Sequence, residues 1–451
     1  MKFLSVAKQA FNVKPISSDE MEQIINTCAN IYAGYPEWVN ADNNIKTINF
    51  AKSLCSEVAR LTTLGIDIKI DGSARAKYLQ KQTDNIKSQV RKWVEYAAAY
   101  GTIILKPNGK SIDIITPQHF TITNQENGNI TGVVFQETVR ASDGKHFYHR
   151  LEYHNRTNGR YTITNRTFMS EAENDIGSSV SIEETPWKDL SEEVIVDNGE
   201  NNLFGFLFMP HANNVDIDSP LGMPIISECI EELKDLDIAY SRNALEIDQS
   251  KRTVLLDSDR LMTGKAMTND AKKRAMKLPD FVRIVEGDGS QDIYREINPT
   301  INTDARLVGI NALLSQIGYK VGFSNGYFVF NESVGIQTAT GVEASQQRTI
   351  QFIKDVRDRL EACMGQLIYA LNAFADAYQL APLGDYEVAY NFSDITYNVE
   401  EDRARWWQYV MSNKVPAWKF FVKFEGMTEE EAKAMIAEAT PAEANLFPGI
   451  E

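Results

Sequence analysis

Two helical stretches that bracket a short β-type segment constrain the fold more than any other feature of this sequence. Apolar residues recur every three or four positions within residues 219–250, which predicts a helix roughly 45 Å long. A second apolar stripe follows Asn302 or Thr303, either of which can cap a helix over residues 300–321. Residues 251–299 lie between the two stripes and contain β-type runs. The sequence therefore predicts a helix, a small insertion and a second helix in succession.

A third helical stretch lies further along the chain and is longer still. Thr340–Glu343 forms a capping box, and apolar residues at heptad-like spacing continue without a proline to about residue 380. This length exceeds that of the usual globular helix and indicates an element that packs along neighbours. The preceding residues, 322–341, contain four glycines and no helical period, so we predict a loop there. Residues 342–395 then comprise the long helix and a β-like segment.

The regions before and after these segments differ in their predicted secondary structure. Residues 1–218 begin with helices, one of them behind the capping box Ser17–Glu20, and continue from residue 102 with short β-type runs. Turn signals such as Pro107–Gly109 separate these runs and predict an antiparallel β-meander. Residues 396–451 are acidic and helical, with a capping box at Thr428–Glu431. The predicted fold class is α+β.

The charge balance bears on nucleic acid as a partner. The chain has 46 Lys and Arg residues against 62 Asp and Glu residues, which gives a net charge of −16. A protein that binds DNA tightly neutralises phosphates with a basic surface, and this composition argues against such a surface. If DNA is a partner, we expect the protein not to bind it tightly.

The cysteines and the apolar runs indicate the compartment. Cys28, Cys55, Cys229 and Cys363 are far apart and form no CxxC pair, which is typical of small core residues in a reducing cytoplasm. The first residues include an apolar run that is interrupted by Lys8, so we expect no export signal. No window approaches the ~18 consecutive apolar residues of a membrane helix, so we expect no membrane contact.

Two glycine motifs superficially resemble nucleotide-binding loops. Asn108–Ser111 is similar to the end of a phosphate-binding P-loop, but Ile104 stands where that motif needs a glycine, and strand-like residues follow the lysine. A hairpin turn is the favoured interpretation. Gly287–Gly289 lacks the third glycine and the following helix of a dinucleotide fingerprint, so it is also interpreted as a turn.

Two groups of residues are candidates for metal chemistry. His146, His149 and His154 lie in the predicted meander and could bind zinc, although exposed sheets also carry histidines without a metal. Asp257 and Asp259 form a DxD pair that could hold magnesium, but such a pair at a strand end is usually a solvated turn. No common catalytic signature is present in the sequence. We therefore expect no catalytic residue, no metal and no cofactor.

The order of the predicted segments resembles that of a known family. The sharpest local match is Gly335–Glu343, in which a glycine and a Thr-Ala-Thr run open the long helix, although Gly341 replaces a larger polar residue. The β-type runs from Ile114 to Thr164 and the helical end with Gly426 are also similar. On this basis the chain resembles the portal proteins of long-tailed bacteriophages, specifically the SPP1-like and A118-like group, over about residues 20–440.

This resemblance implies a portal fold and a purely structural role. It divides the chain into a β-rich wing (1–218), a stem helix (219–250), an α/β clip (251–299), a second stem helix (300–321), a tunnel loop (322–341), a long wing helix with a β segment (342–395) and a helical crown (396–451). The implied assembly is a dodecameric ring at one capsid vertex of the virion, put together in the host bacterial cytoplasm. The ring conducts double-stranded DNA during packaging and ejection. The implied partners are the terminase large subunit, the head–tail adaptor, and the major capsid and scaffolding proteins.

The resemblance also places three groups of candidate residues. The tunnel loop would contact DNA in the channel through Gly326, Asn331, Glu332, Gly335, Gln337, Thr338 and Thr340. Acidic residues of the first stem helix would face the channel or, equally, form a solvated helix face: Glu228, Glu231, Glu232, Asp235 and Asp237. Basic residues of the clip would dock terminase or adaptor or, equally, decorate an exposed helix: Lys265, Lys272, Lys273, Arg274 and Lys277.

Two other functional classes remain open from the sequence. One is a metal-dependent nucleic-acid-processing enzyme that uses the aspartates or histidines named above. The other is a different virion structural subunit, such as a capsid or adaptor component.

Overall fold

The computed structural model describes residues 3–40, 42, 44–109, 111–126, 128–157, 159–197, 201–250, 253–257, 282–285, 294–297, 302–330, 339–393, 399–412 and 414–439. The chain divides into two compact units. The first comprises Met1–Ser333 with Gln346–Asn391, and the second comprises Val334–Ser345 with Phe392–Glu451. The described residues have a mixed α and β fold, which agrees with the predicted class at that level.

The first unit begins with helices, as predicted. Ser18 caps the second helix by accepting a hydrogen bond from the Met21 backbone N–H at 3.2 Å, so a cap lies within Ser17–Glu20 as predicted. The reciprocal bond of a capping box is replaced, because the Ser18 N–H donates to Asp216 Oδ2 at 2.8 Å. Gly34 ends this helix in the left-handed conformation. A strand within this helical section was not predicted. The elements are α1 (Phe3–Phe11), α2 (Asp19–Ala33), α3 (Phe50–Thr62), β1 (Asp67–Gly72), α4 (Ala74–Ile86) and α5 (Val90–Tyr100).

An antiparallel β region follows and confirms the predicted meander. Its larger sheet has the order β4-β5-β6-β7-β8, with β9 also paired to β7, and a smaller sheet has the order β10-β2-β3. Strands β4 to β8 are consecutive in the chain because short connections join them, and β9 is the exception because it pairs with β7. The strands are β2 (Thr102–Pro107), β3 (Ile112–Ile115), β4 (Phe120–Glu126), β5 (Asn129–Arg140), β6 (Phe147–Thr157), β7 (Arg160–Ser170), β8 (Ser178–Val180), β9 (Glu193–Asp197) and β10 (Gly205–Phe208).

Both faces of the larger sheet are covered. Val133 of β5 is buried in a cluster with Met21 and Ile25 of α2, while the next residue, Val134, is buried with Val6 of α1. Successive side chains of a strand point to opposite faces, so α1 and α2 lie on opposite sides of the sheet. This double covering explains why the middle of β5 is a continuous run of buried residues.

The helix, insertion and helix predicted in the middle of the chain are present. In the insertion, β11 pairs parallel with β12 and antiparallel with β13. The last strand of the unit, β14, pairs with β1 from the N-terminal helical section. The elements are α6 (Ile230–Gln249), β11 (Thr253–Asp257), β12 (Val282–Val285), β13 (Tyr294–Ile297), α7 (Thr303–Val321), α8 (Ala339–Ala377) and β14 (Tyr386–Asn391).

Two predicted boundaries are wrong. The helix expected from residue 219 begins at Ile230, after a short 3-10 turn, because the preceding segment contains two prolines and bonds elsewhere. In that segment, the Gly222 N–H donates to Thr102 Oγ1 at 2.9 Å and the Ile225 N–H donates to the Ala98 carbonyl at 3.0 Å. The long helix begins at Ala339, so Thr340 lies inside its first turn and not in a loop. Alanine is a strong helix former and extends the helix past the polar residue expected to cap it.

The second unit is a small helical group. Its described helices are α9 (Val399–Met411), α10 (Ala417–Glu425) and α11 (Glu429–Ala439). The rings of Trp407 and Phe420 pack edge to face, with centroids 5.1 Å apart. Thr428 and Glu431 exchange the two hydrogen bonds of a capping box at the start of α11, as predicted.

Candidate functional site

Helices α6 and α7, called the helix pair below, pack along each other in opposite directions. Their facing stripes are buried and include Leu233 and Leu236 on α6 and Leu314 and Ile317 on α7. Glu232 near the start of α6 pairs with Lys320 near the end of α7, with 2.6 Å between Oε1 and Nζ. At the other end of the pair, Glu246 forms an ion pair with Arg306. Ion pairs at both ends therefore fix the antiparallel arrangement.

The outer surface of the helix pair exposes large apolar side chains. Val308 of α7 is 70% exposed and therefore contributes little to packing within the single chain. Tyr240 and Ile247 continue the stripe of Leu233 and Leu236 at helical spacing but are exposed towards the end of α6, whereas Leu245 lies on another side of that helix. The exposed apolar side chains of the pair are Tyr240, Leu245, Ile247, Val308 and Tyr319.

The five acidic residues predicted to line a channel have three different environments. Glu228, Glu231 and Asp235 are exposed. Glu232 is half-buried, because it pairs with Lys320 and also accepts a hydrogen bond from the Gln316 amide at 3.1 Å. Asp237 is buried, so the expectation that it faces a channel is wrong. Three of the five remain as candidates for an exposed acidic face.

Asp237 holds the segment that joins α2 to α3. Its carboxylate accepts hydrogen bonds from Trp38 Nε1–H at 2.9 Å and from the Ile48 backbone N–H at 3.0 Å. One turn later, Ser241 Oγ accepts a hydrogen bond from the Lys46 backbone N–H at 2.8 Å. The N-terminal section is thereby fixed to the first half of α6. Sequence patterns did not indicate this function, because the partners are far apart in the chain.

The residues after α7 form an anchored turn and not an extended loop. Gly322 ends α7 in the left-handed conformation, and the Phe323 ring packs against Phe328 and Phe352. The side chain of Asn311 pairs with the backbone of Phe330, donating to its carbonyl at 3.0 Å and accepting from its N–H at 2.9 Å. The first part of the predicted tunnel loop is therefore held against α7 and α8.

The tunnel-loop candidates divide into three groups. Gly326 is exposed within the anchored turn, where its N–H donates to Ser315 Oγ at 2.9 Å. Thr340 is in α8. The others lie outside the described residues: Asn331, Glu332, Gly335, Gln337 and Thr338.

A tyrosine in the anchored turn contacts the N-terminal helices. Tyr327 OH donates to Glu57 Oε1 of α3 at 2.5 Å, and Arg60 forms two hydrogen bonds with the same carboxylate. Burial and this hydrogen bond raise the pKa of Tyr327, while the Arg60 bond lowers the pKa of Glu57. The phenol therefore stays protonated and keeps donating to a charged acceptor.

The docking candidates of the insertion lie outside the described residues: Lys265, Lys272, Lys273, Arg274 and Lys277. Asp257 ends β11, but Asp259 also lies outside the described part of the chain. The DxD hypothesis therefore stays a prediction.

The three clustered histidines each bond to protein groups. His146 pairs with Asp143, and His149 lies between Thr138 Oγ1 at 2.9 Å and Ser170 Oγ at 2.8 Å. His154 lies between Glu152 at 2.5 Å and Tyr161 OH at 2.7 Å. Within the residues that the structure describes, no group of three His, Cys, Asp or Glu side chains could hold a metal ion.

The motif that resembles a P-loop is a hairpin turn. It joins β2 to β3, and the Ser111 N–H donates to Asn108 Oδ1 at 2.7 Å. Because a strand follows where a P-loop has a helix, these residues form no phosphate cradle. The four cysteines are free and buried, as expected of core residues, and burial raises the pKa of the Cys28 thiol to about 12.

None of the helices described is long and apolar enough to cross a membrane. No protein-family model matches this chain, and no curated protein matches it.

Proposed function

We propose that this chain is a portal subunit that forms a ring around a DNA channel at one vertex of a bacteriophage capsid. The observation that carries the proposal is the antiparallel helix pair, whose two helices are joined through an insertion in which the described residues form a three-stranded sheet. This pair exposes apolar side chains on its outer surface. A ring of copies would bury these side chains between neighbours and leave a hole at its centre.

The acidic surface is compatible with a conduit. Glu228, Glu231 and Asp235 are exposed near the start of α6. A wall that paired each phosphate with a cation would retain DNA through counterion release, whereas an acidic wall lets the duplex slide. The proposed chain therefore guides double-stranded DNA during packaging and ejection, without catalysis.

The proposed partners are those that the resemblance to portal proteins implies. The residues between α6 and α7 contain the basic cluster around Lys272, which we assign to docking of the terminase large subunit and the head–tail adaptor. The major capsid and scaffolding proteins would contact the remaining outer surface at the vertex of the virion.

Imaging of the purified full-length chain tests the proposal most directly. We expect ring-shaped particles with a central pore in negative-stain electron micrographs, and a mass by light scattering that is close to twelve subunits. Compact particles of one subunit, without a pore, would contradict the proposal. A nuclease assay with magnesium tests the enzymatic alternative on the same preparation, and cleavage of DNA at a rate proportional to protein concentration would favour that alternative.

Packaging assays test the two charged groups separately. Changing Glu228, Glu231 and Asp235 to lysine should slow DNA packaging while rings still form, because the wall would then retain phosphates. Reversing the charges of the basic cluster should abolish terminase-dependent packaging in rings that are otherwise intact. Normal packaging by either variant would remove that group from the proposed function.

A further inference from the structure

An open cleft lies between α2, α5 and β3. Its volume is about 530 Å³, which is typical of sites that bind small molecules. Three half-buried tyrosines line it, namely Tyr32 of α2 and Tyr96 and Tyr100 of α5. We call it the tyrosine cleft. It is large enough to hold a small organic ligand.

The three tyrosine rings are steeply inclined to one another. The Tyr96 ring lies at 89° to that of Tyr32 and at 87° to that of Tyr100, with centroids 6.4 Å apart in both pairs. The centroids of Tyr32 and Tyr100 are 6.5 Å apart, and these rings are tilted by 59°. Tyr32 OH donates to Glu95 Oε1 at 2.8 Å, which fixes the orientation of its ring. Rings inclined in this way do not stack on one another, so parts of all three border the cleft.

Aromatic walls of this kind attract cations. The face of an aromatic ring carries partial negative charge, which attracts an ammonium group within about 6 Å of the ring centroid. One side chain of the protein already makes such a contact, since Lys92 Nζ lies 5.4 Å from the centroid of the Tyr96 ring. Lys92 itself is exposed and is not among the residues that line the cleft. The tyrosine rings therefore favour a positively charged ligand over a negatively charged one.

The remaining wall of the cleft comes from β3 and the residues after it. This strand is the last in the sheet β10-β2-β3, so side chains from both of its faces reach the cleft. Ile112 and Ile114 come from one face, and Asp113 comes from the other. Thr116 lies just after the strand and also lines the cleft. This wall thus combines aliphatic groups with a carboxylate and a hydroxyl.

The Asp113 carboxylate is a second attraction for a cation. Its Oδ1 accepts a hydrogen bond from the Asn108 amide at 2.8 Å. Lys106 lies opposite Asp113 on β2, but its ammonium group bonds to Glu152 at 2.5 Å. Burial raises the pKa of the Asp113 carboxyl, because its charge is incompletely solvated. A cation in the cleft stabilises this charge.

We propose that the tyrosine cleft binds a primary alkylammonium ion. The ammonium group lies against the tyrosine rings and donates N–H bonds to the Asp113 carboxylate. The alkyl chain packs along Ile112 and Ile114. An anion would be repelled by Asp113, and an uncharged apolar ligand would desolvate that carboxylate without compensating it. The site is complete within one chain, so it does not depend on the proposed ring.

Three ligands of nearly the same shape test the charge requirement. At pH 7, n-butylammonium is a cation, 1-butanol is neutral and butyrate is an anion. Saturation-transfer NMR with the full-length chain measures their affinities, and it is suited to weak ligands of large particles. Butylammonium should bind at least about tenfold more tightly than the other two. Equal binding of butanol, or no binding of butylammonium, would overturn the proposal.

The variant Asp113→Asn tests the carboxylate. The new amide oxygen can still accept from Asn108, so the hairpin is preserved, and butylammonium should bind at least about tenfold more weakly. Glu126→Gln is the matched control, because it removes the same charge from an exposed position that does not line the cleft. Its affinity should equal that of the wild type. Unchanged binding by Asp113→Asn would contradict the proposed site.

Substitutions of Tyr96 test the aromatic wall. Tyr96→Phe keeps the ring and should keep the affinity, whereas Tyr96→Leu removes the ring and should weaken butylammonium binding about threefold or more. Thermal unfolding of both variants checks that the fold is intact. Equal affinities of the phenylalanine and leucine variants would show that the ring does not contact the cation, and the proposal would fail.

Electron micrographs of the same wild-type preparation separate this proposal from the proposed function. Rings that do not bind butylammonium contradict the cleft proposal alone. Selective binding of butylammonium by particles without a pore contradicts the portal proposal alone.

Discussion

The β-rich region buries charged side chains in a network, whereas the helix pair exposes large apolar side chains. In the β-rich region, Glu152 is buried and bonded to Lys106 at 2.5 Å, Arg150 at 3.0 Å and His154 at 2.5 Å. In the helix pair, ion pairs lie nearer the surface while large apolar groups such as Val308 are exposed. The first region is complete within one chain, whereas the second has an apolar surface that a neighbour would cover.

The buried network also explains the protonation of its histidine. Tyr161 O–H donates to His154 Nδ1, and His154 Nε2–H then donates to Glu152. Burial lowers the pKa of His154, so the ring is neutral, with one donor and one acceptor in use. Burial alone raises the pKa of Glu152. Its partners Lys106, His154 and Arg150 outweigh burial and lower this pKa well below its usual range. Glu152 is therefore the ionised centre of the network.

The largest expected effect comes from breaking this network. Glu152→Ala leaves Lys106 and Arg150 without their buried counterion and should lower the free energy of unfolding by about 3–5 kcal/mol. Urea denaturation followed by circular dichroism measures this change. Glu137→Ala is the control, because Glu137 contacts the same Arg150 from a half-exposed position and should cost less than about 1 kcal/mol. Equal effects of the two variants would contradict the assigned function of Glu152.

The second-largest effect is expected from removing the Asp237 carboxylate, which fixes the N-terminal section to α6. Asp237→Ala leaves the Trp38 indole N–H and the Ile48 N–H without their acceptor and should cost about 1–3 kcal/mol. Asp235→Ala, two residues earlier and exposed, should change the free energy of unfolding by less than about 0.5 kcal/mol. The difference between these two variants in urea is the measurement, and a difference near zero would contradict the structure.

The pH dependence of the free energy of unfolding tests whether the buried histidines are neutral in the folded chain. Burial lowers the pKa of His119, His149, His154 and His211. The unfolded chain therefore binds protons first as pH falls below about 6.5, so stability should decrease from pH 7 towards pH 5. Glu152 adds to this loss only below about pH 4.3, the usual pKa of glutamate.

Urea midpoints at pH 7 and pH 5 measure this slope. His154→Gln should reduce the slope, because His154 is buried and its pKa is lowered by burial. A stability that rises towards pH 5 would show that the buried histidines are charged in the folded chain.

The smallest expected change in the stability of the isolated chain comes from a substitution on the outer surface of the helix pair. Val308→Asp should alter the free energy of unfolding by less than about 0.5 kcal/mol, because its side chain makes few contacts in the chain itself. In the proposed ring, the same change should abolish assembly, because it introduces a charge on a surface that neighbouring copies would bury. Sedimentation velocity together with urea denaturation separates the two quantities. Lost stability without lost assembly would show that Val308 belongs to an intramolecular core.

Much of the fold could be predicted because its signals are local. The N-cap at Ser18, the capping box at Thr428 and the hairpin at Asn108 involve partners within a few residues, so sequence spacing alone defines their geometry. The helix pair and its insertion were also predicted, because apolar periodicity distinguishes helices from strands. The candidate site was predicted less well, since exposure separates Glu231 from the buried Asp237 on the same helix.

The tertiary structure decided which distant groups meet. Strand β1 exists because β14, from the other end of the first unit, supplies its hydrogen bonds. Asp237 was predicted to face a channel or a solvated helix face, and no prediction was made for Arg75 of α4. Both are buried, because backbone groups from remote segments satisfy their charges. Local sequence patterns were enough to predict most of the helices and the meander, and the composition alone defines the acidic charge. Only folding determined which charges hold the chain together and which apolar groups remain for a partner, because both depend on contacts between residues far apart in the chain.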